Sequence, residues 1–218
     1  QFNAVVSTNT RAVALWERYL RRAGADAQHV PAYGVRDERA LTKASPVGAG
    51  LDAAMDYVAE QGVTTVHHMG GFTELAVFRR AHEEGRLDTR IVACTPLSQW
   101  DRLATLVEEN GRGDDRLRWG CLKGFVDGSL GSHTAAFFEP FTDTPGDSGF
   151  FVNTEADLHD WTAAADAEGL QVNIHAIGDR AISTLLDVFE RVQAENGPRD
   201  RRFRIEHAQH VHPDDFER

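Results

Sequence analysis

An α/β fold built on a parallel sheet is predicted by three observations. Apolar, β-branched runs centre near residues 66, 92, 123, 174 and 205, with helical periodicity between them. The runs are apolar nearly throughout, as in strands covered on both faces. Polar residues collect at the C-terminal ends of four of these strands: His67 and His68, Asp127, His175, and His207. Parallel barrels place their chemistry at those ends. The competing arrangement is an open doubly wound sheet. No Gly-x-Gly-x-x-Gly follows the first strand and no P-loop sequence is present. The reading is therefore a (β/α)8 TIM barrel, incomplete here at about five βα units.

Thr10 to Ala23 reads as a helix with an apolar stripe from Val13 to Leu20, ended by Gly24. Residues 24–50 lack periodicity, so 1–50 reads as an N-terminal helix and connecting segment and 51–218 as the partial barrel. Asp52–Gln61 is a helix closed by Gly62, followed by the strand Val63–His68. Glu74–Glu84 is a helix stopped by Gly85, and Arg90–Thr95 a strand ended by Pro96. Ser98, with Asp101 three places on, is expected to cap a helix running to Asn110. The strand from Leu117 carries Lys123 and breaks into a glycine-bearing loop after Asp127. Residues 128–153 hold Phe137, Phe138, Phe141, Phe150 and Phe151, which suits an ordered loop better than a disordered one. Thr154 caps a helix ending at Gly169, and the His175 strand follows. Asp179–Asn196 presents Ile182, Leu185, Leu186, Phe189 and Val192 on one face, with Gly197-Pro198 as the stop. After the His207 strand, Pro213 opens a further helix.

A net charge of −11 argues against nucleic-acid backbone binding. The basic stretch Arg199-Asp-Arg-Arg202 reads as a solvated turn. No apolar run approaches the roughly 20 residues needed to span a bilayer, and the first residues lack a signal-peptide core. Cys94 and Cys121 show no zinc-finger spacing and read as buried, reduced thiols, which suits a cytoplasmic protein.

The chemistry centres on Lys123, His175 and His207. A lysine inside an apolar strand is costly to desolvate. Two histidines at matching positions on consecutive strands, about 4.8 Å apart, could share one ion. The bland alternative makes them hydrogen-bonded core histidines and pairs the Lys123 ammonium with Asp127 or Glu206. A protonated lysine repels a cation, but burial and a nearby metal favour the neutral amine. That amine can take up carbon dioxide as a carbamate, an anionic oxygen ligand.

Four segments together resemble the amidohydrolase superfamily, nearest its family 3 branch with the N-substituted formamide deformylase-like enzymes. They are Gly62–Gly70, Lys123–Ala136, Val172–Ala181 and Arg204–Gln209. The resemblance implies a metal-dependent hydrolase barrel with one or two divalent ions of the zinc type. It implies that Lys123 is the carbamylated bridging lysine and that His175 and His207 are metal ligands. Asp127, His68, Ser129, His133 and Asp179 are assigned to substrate contact. The implied reaction is hydrolysis of a non-peptide carbon–nitrogen bond in a small amide- or formamide-type substrate by a metal-activated water. The family's His-x-His strand and C-terminal aspartate strand have no counterpart here. His210-Val-His212 has the spelling but no strand leading into it. The chain is accordingly expected to be strands two to six of a longer polypeptide, whose open sheet edges allow a homo-oligomer. A lyase or isomerase on the same scaffold, and a degenerate barrel kept as a binding or scaffold protein, are the alternative functions.

Overall fold

The computed structural model describes residues 46–218, with side chains from residue 50. The expected helix Thr10–Ala23 and most of the 24–50 connection lie outside the described residues. The elements are α1 (Pro46–Glu60), β1 (Thr65–Met69), α2 (Phe72–Glu83), β2 (Arg90–Pro96), α3 (Trp100–Asn110), β3 (Leu117–Phe125), α4 (Glu155–Ala167), β4 (Gln171–Ala176), α5 (Asp179–Asn196) and β5 (Arg204–His207). The strands form one sheet in the order β1-β2-β3-β4-β5. Consecutive order with no reversal is that of a barrel segment and differs from a doubly wound sheet with its switch point. β3 pairs with β4, and β4 with β5, in parallel.

The described residues divide into two compact units: those up to Ala93 with Gly113–Arg118, and Cys94–Arg112 with Trp119–Arg218. In the first, α2 buries Leu75, Val77, Phe78 and Ala81. Arg86 holds Asp52 at 2.5 Å, and His82 pairs with Asp114 at 2.7 Å. In the second, β3 and β4 bury Leu122, Val172 and Ile174, and α5 buries Ile182, Leu185, Phe189 and Val192, as its periodicity predicts.

Several local expectations change. α1 begins at Pro46 rather than Asp52, since proline's fixed φ suits a first helical turn. Ser98 does not cap α3. It lies inside a 3₁₀ turn, Leu97–Gln99, that buries Leu97, and α3 starts at Trp100 with no side-chain cap. Thr154 does cap α4, its hydroxyl accepting from the Asp157 amide at 3.1 Å. Pro213 opens only a 3₁₀ turn, Pro213–Asp215. Arg199–Arg202 is not a wholly solvated turn: Arg199 and Arg201 reach Asp166 at 2.6 and 3.0 Å, with Asp166 fully buried. Burying one carboxylate between α4 and the segment after α5 requires cations to meet it.

The cysteines are also corrected. Cys94 and Cys121 form a disulfide rather than two free thiols. Their 27-residue separation conceals that β2 and β3 are neighbours. The pairing removes reduced thiols as support for a cytoplasmic location. Among the described residues no helix is long and apolar enough to cross a membrane.

Candidate metal centre

The second unit assembles the site from β3, β4, β5 and the loop after β3. In register, Lys123 faces Asn173, Phe125 faces His175, and His175 faces Glu206. Period-two alternation therefore puts Cys121, Lys123 and Phe125 on one face with Asn173 and His175. Asn173 anchors the bottom of this layer by donating its amide to Cys121 Sγ at 3.0 Å. Lys123 is only 8% exposed. Its Nζ donates to the Gly124 carbonyl at 2.8 Å and lies 3.8 Å from the centre of the Phe125 ring. Burial pushes this amine down to about 8, against a smaller upward pull from Glu206. The partners offered by the alternative reading are engaged elsewhere, Glu206 with Arg204 at 2.9 Å and Asp127 with backbone amides.

His175 and His207 meet edge to face, ring centres 4.7 Å apart. The register is offset by one from the sequence expectation, because His207 pairs with Ala176. The turn that ends β5 compensates: His207 and Ala208 have φ of 77° and 43°, a left-handed bend at which the strand stops. His207 is held below the ordinary imidazole range, by burial first and then by the neighbouring His175 and Lys123. It is therefore neutral at physiological pH, the form that ligates metals. The His175 Nε2 lies 2.6 Å from the Gly128 carbonyl and 3.3 Å from Asp127 Oδ1.

Asp127, 1% exposed, faces inward. Its Oδ2 accepts from the amides of Ala136 and Gly178, both at 2.9 Å, and its Oδ1 accepts from the Ile177 amide at 3.1 Å. Gly178 must be glycine, because a Cβ there would run into the Ala136 carbonyl. Asp179 Oδ1 accepts from the Phe138 amide at 2.9 Å, so the loop is also tied directly to the start of α5. Ser129 and Ser132 share a hydroxyl bond of 2.8 Å, and Thr134 extends it. His133 is a loop residue, stacked on Phe141 and paired with Asp143 at 3.2 Å. His68 belongs to the first unit, edge-on to Phe78 at 4.8 Å. Its Nδ1 is buried without a hydrogen-bond partner. His210 packs against Phe137 and His212 against Phe138, in loops rather than on a strand. Phe138 and Phe150 are exposed.

The structure thus gathers Lys123, Asp127, His175 and His207, and leaves Ser129 and His133 within the loop. Sequence reasoning had no role for Phe125, which touches both Lys123 and His175, nor for the Gly128 carbonyl. The two-residue spacing from Lys123 is the signal that could have found Phe125. Among the described residues, no three His, Cys, Asp or Glu side chains form a metal cage. What is present is two adjoining imidazoles, one held neutral, and a buried amine with a depressed pKa. Those donors suit a borderline-soft divalent cation.

The amidohydrolase family's sequence profile, that of its family 3 branch, matches residues 20–218. The chain belongs to the amidohydrolase family. Among curated members it is 42% identical over 175 residues to "Protein LONG AFTER FAR-RED 3" of Arabidopsis thaliana, covering 75% of this chain and 30% of that protein. It is 29% identical over 172 residues to "Putative amidohydrolase YtcJ" of Bacillus subtilis, covering 75% and 31%. Among solved structures, a metal-dependent hydrolase from Pyrococcus horikoshii superimposes with a TM-score of 0.68 at 31% identity, over 79% of this chain and 34% of that one. Another from Pyrococcus furiosus gives 0.67 at 29%, over 92% and 44%. This amidohydrolase chain spans about a third of the length of the curated relatives it matches.

Proposed function

We propose that the protein to which this chain belongs is a metal-dependent hydrolase of a non-peptide carbon–nitrogen bond, with an amide- or formamide-type small molecule as substrate. The observation that carries this reading is the His175–His207 ring pair at 4.7 Å, beside a buried Lys123 whose amine is pushed down to about 8. His175, His207 and Lys123, the last as its carbamate, would hold one or two divalent ions of the zinc type. Such an ion supplies Lewis acidity, lowering the pKa of water to about 7 and polarising a carbonyl. The chain's own residues orient and enclose. Asp127 and the Gly128 carbonyl fix the His175 ring, Phe125 covers Lys123, and the loop after β3 supplies exposed Phe138 and Phe150 as apolar surface for the substrate.

The test is metal content per chain by inductively coupled plasma mass spectrometry, on wild type and on the double variant His175→Ala, His207→Ala. One or two zinc-like ions, lost in the double variant, are expected, with turnover of formamides or amides by the metal-loaded protein. A folded wild type that stays metal-free after zinc is supplied sinks the reading and leaves the degenerate-barrel alternative. The plant relative's name describes no reaction, and the same measurement decides that alternative.

A further inference from the structure

We propose that the Cys94–Cys121 pair is a redox-active site, opened and closed by exchange with a small thiol of the glutathione class, and that Asn173 biases it toward the reduced form. The inference concerns the layer beneath the candidate metal centre and does not depend on a metal.

The pair joins two neighbouring strands, β2 and β3. Both cysteines are buried. Asn173 on β4, itself 1% exposed, turns its carboxamide toward them. Its Nδ2 donates to Cys121 Sγ at 3.0 Å and lies 3.8 Å from Cys94 Sγ. Its Oδ1 is buried and meets no hydrogen-bond donor. A buried carbonyl without a donor is costly, whereas sulfur is only a weak acceptor for the amide's other end. Exchanging the N and O of the amide does not mend this. A disulfide sulfur has no hydrogen to give, so an Oδ1 turned toward it gains nothing, and the NH₂ group takes the unpartnered place. The oxidised pair therefore leaves one end of the Asn173 amide unsatisfied in either orientation.

Reduction removes the mismatch. A thiol RSH, as its thiolate, attacks one cysteine sulfur; the S–S bond breaks and a mixed disulfide forms. A second RSH releases the first as RS–SR. Two electrons and two protons end on Cys94 and Cys121. A thiol both donates and accepts weakly. One cysteine can then give its S–H to Oδ1 while the other accepts from Nδ2, so the amide spans the two sulfurs with both ends engaged. That gain belongs to the reduced form alone, and it makes the pair easier to reduce than one set among apolar side chains. Cys121 lies two residues before Lys123 on the same face, and Asn173 stands in register with Lys123. The exchange therefore takes place directly beneath the residues of the candidate centre.

The experiment uses the full chain, metal-free and without oxygen. The protein is equilibrated with mixtures of reduced and oxidised glutathione, and then of dithiothreitol, quenched with acid, alkylated and counted by mass. Wild type is expected to pass from oxidised to reduced within the glutathione range. Asn173→Leu keeps the volume and removes both polar ends; its equilibrium constant for reduction is expected to fall about 5–100-fold. In wild type labelled with ¹³C at asparagine, the Asn173 side-chain carbonyl should move downfield on reduction, as a carbonyl does when it accepts a hydrogen bond. A wild type that stays oxidised across the whole glutathione range overturns the proposal. So does a carbonyl that does not move, and neither result needs a variant to fold. A folded Asn173→Leu that is reduced as readily as wild type, or more readily, also overturns it.

Discussion

At the scale of single residues, burial decides the protonation states. Lys123 has its amine pushed down to about 8 from an ordinary 10.5. Between those values the unfolded chain holds a proton that the folded chain lacks, so stability rises with pH across that window, and the burial cost is full below about 8. Lys123→Met is therefore expected to raise the urea midpoint of the metal-free protein at pH 7, by roughly 1–3 kcal/mol in stability. The gain should shrink as pH approaches 10.5. On the function proposed above, the same variant should also take up less zinc than wild type, read by metal content per chain. His68 has an acid–base setting of the same sign at lower pH. Burial lowers its pKa below 6.5, with Glu74 pulling weakly upward. The unfolded chain takes up the proton first, so this contribution is complete above 6.5 and is lost as pH falls below it. His68→Phe keeps an aromatic ring against Phe78 and removes the unpartnered Nδ1. Its urea midpoint is expected to fall less than that of wild type between pH 7.5 and 5.5. The histidines and the lysine were legible in the sequence as chemistry-bearing residues. Which nitrogen each ring offers was not, since that depends on carbonyls and carboxylates supplied by other elements.

At the scale of elements, capping chemistry was legible where nothing competed with it. Thr154 accepts from Asp157 at the start of α4, and Thr154→Ala is expected to cost about 1 kcal/mol in chemical denaturation. Ser98 had the same spelling, but the buried Leu97 beside it draws the chain into a 3₁₀ turn. The link from α4 to the segment after α5 rests on Asp166, which meets Asn196 at 2.9 Å as well as Arg199 and Arg201. Asp166→Ala strips a buried Arg201 of its carboxylate and is expected to cost about 3–5 kcal/mol. Hydrogen exchange should localise the loosening to α4 and the end of α5. Arg199–Arg202 looked solvated in the sequence because Asp166 lies more than thirty residues away from the arginines that pair with it.

At the scale of the whole molecule, the repeating strand–helix pattern announces the parallel sheet, four motifs carry the family resemblance, and the candidate metal site is drawn from three strands of the sheet. The disulfide belongs to this scale as well. Alkylation of the denatured, unreduced protein should leave Cys94 and Cys121 unmodified, and prior reduction should expose both to the reagent, read by mass. Labelling without reduction would show free thiols. The sequence by itself determined the alternation of strands and helices, the strand ends that carry Lys123, His175 and His207, and the ordered aromatic loop. Those features are written in periodicity and turn chemistry, which act over a few residues. Only the tertiary structure decided that Glu206 rather than His207 sits in register with His175, that the two cysteines meet, and that Asp127 turns inward to hold three amides and a ring. Each depends on which groups are brought together from distant parts of the chain, where a buried polar atom must find a partner and no local pattern names it.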